Sequence, residues 1–250
     1  MRVAVSGGTG VAGRLVVAAL SDAGHDPVVI ARSTGVNLLT GDGLDAALAG
    51  AEAVIDASNV TTTSRGKSVR FFETAGRRLL DAEQKAGVRH HVTLSIVGID
   101  RVDYGYYFGK RRQEELAKAG PVPWTVLRAT QFHEFADQML ANVPGPFALV
   151  PKMLSRPVAV SEVADALVQL ALGEPQGMAP ELAGPRDEQM VDMARRLLRA
   201  RSSRRKVLPL RLPGAAGKAM ATGALLPTED GPRGKTTFAD WLTTQTTPTA

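Results

Sequence analysis

Residues 2–13, Arg-Val-Ala-Val-Ser-Gly-Gly-Thr-Gly-Val-Ala-Gly, constrain this chain more than any other stretch. Val3-Ala4-Val5 reads as a buried-type strand, and an apolar-periodic helix begins directly after the glycines. Gly7 permits the tight turn between them. Gly10 lets the backbone approach a pyrophosphate, and Gly13 lets the helix pack closely on the strand. The amides at the helix start, together with the helix dipole, attract phosphate. A glycine turn alone is a weak sign, so its position at the head of a strand-turn-helix frame carries the reading. Gly7, Thr9, Gly10, Val11, Ala12 and Gly13 are the expected phosphate-holding residues.

Downstream, short β-branched runs alternate with helical patterns, which predicts βαβ units and a parallel sheet. The expected strands are Arg2–Ser6, Pro27–Ala31, Val36–Leu39, Ala53–Ala57, His91–Ile96 and Trp124–Leu127. Val11, Leu15, Ala18 and Ala19 share one expected helix face, and Phe71, Phe72, Ala75, Leu79 and Ala82 share another. Gly24, Gly87 and Gly120 fall where helices should stop. The right-handed crossover rule then favours an α/β, doubly wound Rossmann sheet. After Leu127 the pattern changes: Pro and Gly become frequent over 143–151, and an amphipathic helix covers Ser161–Leu172. The expected division is a cofactor-binding core of residues 1–130 plus 156–173. A smaller substrate lobe takes 131–155 and 174–250. Residues 243–249, rich in threonine, read as a frayed end.

Composition narrows the function classes. The 250 residues include no cysteine, which removes disulfides, thiolate metal sites and a cysteine nucleophile. Four histidines without ligand spacing predict no metal. The formal charge of +5 raises the question of nucleic acid. The densest basic stretch, Arg195 to Arg201 followed by Arg204-Arg205-Lys206, lacks interleaved aromatics. Val191, Ala194, Leu197 and Leu198 give it the apolar stripe of a surface helix. No nucleic-acid partner is expected. Glycines and Arg14 interrupt what a secretion signal would need, and no window offers the ~20 apolar residues of a membrane span. The expectation is a cytoplasmic protein with a small-molecule substrate and no membrane partner. No exposed stripe indicates an oligomer.

The end of the second strand selects the dinucleotide. An acidic residue there holds the ribose of NAD, whereas a cation suits the 2′-phosphate of NADP. The chain reads Ile30-Ala31-Arg32-Ser33-Thr34, so Arg32 and Ser33 form an expected phosphate clamp and NADP(H) is the expected cofactor. Asp42 is a candidate acceptor for the adenine amine, although turn chemistry explains Asp42-Gly43 equally well.

Several segments resemble the short-chain dehydrogenase/reductase superfamily in its atypical, NmrA-like branch. They are residues 7–13, Leu94-Ser95-Ile96-Val97-Gly98, Tyr106-Tyr107-Phe108-Gly109-Lys110 and Leu127-Arg128-Ala129-Thr130-Gln131-Phe132. Glu181-Leu182-Ala183-Gly184-Pro185 and Thr237-Phe238-Ala239-Asp240-Trp241-Leu242 are also similar to that branch. The resemblance implies that Ala57, Ser58 and Asn59 line the cofactor groove and that residues 129–132, Thr130 included, lie near the nicotinamide. It also implies a reactive set of Ser95, Tyr106 and Lys110. Tyr106 and Lys110 are four apart and share a helical face. A nearby cation that stabilises the phenolate makes a tyrosine a useful proton donor or acceptor. Tyr107, three residues before Lys110, is the alternative inward-facing tyrosine.

Gln131, Phe132 and His133 are the expected substrate contacts, with Phe135 and residues 143–153 shaping the pocket. His133 reads equally well as a helix-start histidine near solvent, and His90 and His91 read as structural. The leading expectation is an NADP(H)-dependent oxidoreductase that transfers hydride to or from a small carbonyl, quinone or enone. The alternative is a regulator that senses NADP(H) without catalysis. A sugar-nucleotide epimerase or dehydratase ranks third.

Overall fold

The computed structural model describes residues 1–141 and 145–245. In chain order its elements open with β1 (Arg2–Ser6), α1 (Val11–Asp22), β2 (Asp26–Ile30), α2 (Leu44–Leu48) and β3 (Ala53–Asp56). Next come α3 (Arg65–Ala86), β4 (His90–Ile96), α4 (Gly105–Ala119) and β5 (Trp124–Ala129). Then follow α5 (Phe135–Ala141), β6 (Phe147–Pro151), β7 (Leu154–Ser155), α6 (Val160–Leu172) and β8 (Gly177–Met178). The last are β9 (Glu188–Gln189), α7 (Met190–Ala200), β10 (Lys206–Leu210), α8 (Gly214–Ala221) and α9 (Phe238–Gln245).

The chain divides into two compact units. The first holds Met1–Ile96, Tyr104–Arg128 and Ser161–Pro180. Its six-stranded parallel sheet has the order β2-β1-β3-β4-β5-β8, with helices flanking it. β1 and β3 read as apolar runs because a parallel sheet covered on both faces buries both sets of side chains. Val3, Val54 and Ile55 have no exposed surface. The chain runs from β1 to β2 on one side and then returns to place β3 on the other. The order therefore reverses at β1, where ligands bind in open α/β sheets.

Val36–Leu39 is not a strand. Its backbone bonds are spent in a compact loop, with the Asn37 amide donating to Asp42 and the Gly41 amide to Asn37. Gly41 and Gly43 supply positive φ values there. Val36 is buried beside Ile30, Leu44 and Leu48, so its apolar side chain serves the core without a sheet partner. The face of α1 also differs from expectation. Ala12, Gly13, Val16 and Leu20 are buried, whereas Ala18 is exposed and Leu15 and Ala19 are half-buried. On α3 the expected face is inward, with Phe72, Ala75, Leu79 and Ala82 buried and Phe71 partly so.

The second unit holds Val97–Asp103, Ala129–Val160 and the chain from Glu181 onward. Helix α7 buries Val191, Ala194, Leu197 and Leu198, the apolar stripe read from the sequence. Its arginines form surface ion pairs, Arg195 with Asp192 and Arg196 with Glu188. β6 and β10 pair in parallel as a two-stranded ribbon. Thr243 and Thr244, expected to fray, belong to α9, and residues 246–249 lie outside the described residues. So do Val143 and Pro144 of the segment expected to shape a pocket. Among the described residues no helix is long and apolar enough to cross a membrane. None of them form a group of three or more His, Asp or Glu placed to hold a metal.

Candidate functional site

The carboxyl ends of β1 and β3 build the first part of the site. Gly7 has φ +71°, and a Cβ there would stand 2.7 Å from the Ala57 carbonyl oxygen. Only glycine fits where the turn abuts the residues after β3. A Cβ on Gly13 would lie 2.2 Å from the Gly7 oxygen, so α1 rests directly on the turn. The Gly10 amide donates to Gly7 at 2.9 Å and closes the loop. Helix α1 starts with no side-chain cap and no carboxylate in its first turn. Its dipole therefore meets an incoming anion without competition. These are the cradle and the donor set that a dinucleotide pyrophosphate requires.

The Gly7 amide donates to the Ile30 carbonyl at 3.0 Å and ties the end of β2 to the same turn. Two residues on, Arg32 opens a single 3₁₀ turn, Arg32–Thr34, fixed by the Thr34 hydroxyl on the Val29 and Ala31 carbonyls. Ser33 is exposed, and the Arg32 guanidinium has no carboxylate partner among the described residues. Asp42 instead accepts the Thr40 hydroxyl at 2.6 Å, within its own turn.

Helix α4 lies close on α3 because two of its residues are glycines. A Cβ on Gly105 would meet the Thr63 oxygen at 2.0 Å, and one on Gly109 would meet the Ser68 hydroxyl at 2.1 Å. Tyr106 and Lys110 share the face so produced. The Tyr106 ring stands edge-on to Phe72, and the Lys110 ammonium lies 5.0 Å from the centre of that same ring. The Tyr106 hydroxyl donates to Asn59 Oδ1 at 2.7 Å, joining α4 to the expected groove residue. Burial raises the Tyr106 phenol above its ordinary range, so it stays protonated. Tyr107 is buried, with its ring against Tyr104.

Lys110 is buried. Its ammonium donates to the Leu94 carbonyl at 2.6 Å and to Gln113 Oε1. Gln113 in turn donates from Nε2 to Asp56 Oδ2 at 2.6 Å. Asp56 Oδ1 accepts the Ser58 amide at 3.0 Å, which fixes the residues after β3. Burial pulls Lys110 down to about 8, against the opposing pull of Asp56 and Glu114. Burial pushes the Asp56 carboxyl up, but His91, Ser58 and Lys110 outweigh it and hold it below its usual range. A chain of polar groups thus runs from the Ser58 amide through Asp56 and Gln113 to Lys110. Sequence reasoning missed Asp56 and Gln113. The signal was a lone carboxylate closing the apolar strand Ala53–Asp56, since a buried acid needs a partner.

Ser95 takes a different part from the one expected. Its hydroxyl proton is donated to Glu114 Oε1 at 2.6 Å, and Arg128 grips the same carboxylate at 2.8 and 2.7 Å. Buried and committed in this way, Ser95 pins α4 to β4 and has no proton left to orient a carbonyl. His90 bonds Thr125, and His91 bonds Glu83 and Thr93, so both are buried structural histidines.

In the second unit, the Thr130 hydroxyl donates to the Arg156 carbonyl and the Ser155 hydroxyl donates to Gln131. Phe132 is half-buried and bridges Val158. His133 stands neither at a pocket lip nor near solvent. It is fully buried, bonds the Thr236 carbonyl and packs on Phe238 and Trp241.

Comparison with known proteins agrees with this geometry. Residues 7–173 match the family described as NAD(P)H-binding. A curated relative from Streptomyces griseus, (4-alkanoyl-5-oxo-2,5-dihydrofuran-3-yl)methyl phosphate reductase, is 33% identical over 157 residues. The match spans 57% of this chain and about half, 51%, of that relative. Among solved structures, the Citrobacter sp. triphenylmethane reductase complexed with NADP(H) superposes with TM-score 0.71 at 16% identity, covering 99% and 100% of the two chains. MoeE5 in complex with UDP-glucuronic acid and NAD gives 0.75 at 17% identity, covering 98% and 97%. These likenesses show that the chain shares the Rossmann-type fold of such dinucleotide-binding proteins. With a glycine cradle at the sheet's switch point and a family match over two-thirds of its length, the chain belongs to the NAD(P)H-binding family.

Proposed function

We propose that the protein is an NADP(H)-dependent oxidoreductase that reduces a small carbonyl, quinone or enone. The observation that carries this reading is the pairing of Tyr106 and Lys110 on α4, beside Asn59 and a glycine turn built for a dinucleotide. The relative's name supports the reductase class, and its unsaturated lactone belongs with the enones. Arg32 and Ser33 favour the 2′-phosphate, because a guanidinium without a carboxylate partner binds phosphate through charge-assisted bonds.

When bound, the nicotinamide supplies or takes the hydride. Residues 7–13 hold the pyrophosphate and Lys110 holds the ribose side. Tyr106, kept protonated by burial, gives its proton to the substrate oxygen or carbon partner, having turned from Asn59. The protonated phenol is the form that reduction calls on, and the same group would take the proton back in the oxidative direction. Ser95 positions α4. Gln131 and Phe132, in the second unit, are the proposed substrate contacts.

A non-catalytic NADP(H) sensor is the second reading, favoured by the engagement of Ser95 with Glu114 and of Tyr106 with Asn59. Following NADPH oxidation against a panel of quinones, enones and aldehydes separates the two. Turnover that falls about 10²-fold or more in both Tyr106→Phe and Lys110→Ala fits the enzyme. Bound NADPH that no substrate oxidises fits the sensor.

A further inference from the structure

The β6–β10 ribbon presents an apolar face to solvent. In its parallel register Phe147 partners Lys206, Leu149 partners Leu208 and Pro151 partners Leu210. The intervening Ala148 and Val150 are fully buried, so the odd-numbered positions of β6 point outward with their β10 partners. Phe147 is 50% exposed, Leu149 47%, Leu208 42% and Leu210 38%. Four large apolar side chains side by side on one ribbon form a contiguous patch, which marks an interaction site more than scattered surface residues do.

The segments that carry the ribbon are rich in cations. Between Asp192 and Glu229 the chain has nine Lys and Arg and no carboxylate, and between Asp137 and Glu162 it has Lys152 and Arg156 and again none. The whole chain carries only +5, so this concentration is local. Some of these cations are paired, as Arg201 is with Asp137 and Arg156 with Asp187. Arg204, Lys206 and Arg211 are exposed at the ribbon's two ends. Neither they nor the half-buried Lys152 have a carboxylate partner among the described residues.

We propose that the β6–β10 face docks on an anionic lipid surface, with Phe147, Leu149, Leu208 and Leu210 entering the acyl boundary and Arg204, Lys206 and Arg211 meeting headgroup phosphates. Apolar insertion and cationic attraction are the two parts of interfacial binding, and both are present on one face. A nucleic acid would use the charge but leave three aliphatic side chains without a base to stack on. A surface-docked ribbon needs no spanning segment, so the expectation of no membrane partner does not cover this face. It does not depend on the catalytic reading.

Cosedimentation with vesicles tests it. Wild-type protein, Leu149→Gln/Leu208→Gln and Arg204→Gln/Lys206→Gln/Arg211→Gln are each mixed with phosphatidylglycerol/phosphatidylcholine or pure phosphatidylcholine vesicles. All three substitutions sites of the cationic set and both apolar ones face solvent, and unchanged melting temperatures verify the fold. Wild type should pellet with the anionic vesicles only, and raising salt from 0.1 to 0.5 M should weaken this roughly tenfold. Each variant should lose roughly tenfold in partitioning. No binding to anionic vesicles overturns the proposal, as does binding that survives Leu149→Gln/Leu208→Gln. Tighter binding to a DNA duplex than to vesicles, or a dimer that the double variant abolishes, would assign the face to another occupant and overturn it equally.

Discussion

At the scale of single residues, close approach decides most of the site. Gly13 stands where a methyl group would strike the Gly7 oxygen at 2.2 Å. Gly13→Ala should cost about 2–3 kcal/mol in urea unfolding, as overpacking of a rigid backbone contact does. Unaltered stability would mean that α1 can slide off the turn. Lys110 gives a pH prediction with a definite sign. On the proposed reading its ammonium is the working form, and its pKa is pulled down to about 8, so kcat/KM for NADPH should fall as pH rises through 8. Asp56 raises that pKa, so Asp56→Asn should move the fall to lower pH. A profile unmoved by Asp56→Asn would separate the carboxylate from the lysine. The tight glycine turn and the shared face of Tyr106 and Lys110 were legible in the sequence because each depends on local spacing. Gln113 was not, because its role exists only once β3, β4 and α4 are side by side.

At the scale of elements, β1 to β5 were legible, β6 to β10 were not, and of the two helix faces read the one on α3 was legible and the one on α1 was not. β1 and β3 read as apolar runs bounded by glycine or polar turns, which is what a doubly covered parallel sheet demands, whereas β4 interleaves Val92, Leu94 and Ile96 with polar residues. Helix α1, Val-Ala-Gly-Arg-Leu-Val-Val-Ala-Ala-Leu-Ser-Asp, is apolar almost all round, so its periodicity does not single out a face. Packing chose the side with the smallest residues, Ala12 and Gly13, because α1 must touch the turn. Leu20→Ala should therefore cost about 2–5 kcal/mol, whereas Ala18→Ser should stay within about 0.5 kcal/mol. Equal costs in chemical denaturation would restore the face expected from sequence. The run at 36–39 misled for a related reason: its valine is a core residue held by a loop, and β-propensity reports burial as much as pairing. His133 misled because nothing local announces Phe238 and Trp241, more than a hundred positions away, as its neighbours.

At the scale of the whole molecule, one unit carries the cofactor geometry and the other carries the concentration of positive charge and the exposed ribbon. The composition gave the net charge but not its placement, which depends on how β6 and β10 pair. In the first unit, the turn at 7–13 with Arg32 is proposed to hold NADP(H) in preference to NAD(H). Thermal unfolding with each reduced dinucleotide tests it most directly. At a hundred times its Kd, NADPH should stabilise the chain by about 2.7 kcal/mol, a rise of roughly 5–10 °C. NADH at the same concentration should give less, and Arg32→Glu should remove most of the difference by losing charge-assisted bonds worth about 1.5–3 kcal/mol each. Equal shifts with both dinucleotides, unchanged in Arg32→Glu, would contradict the assigned preference, and no shift with either would contradict the site itself.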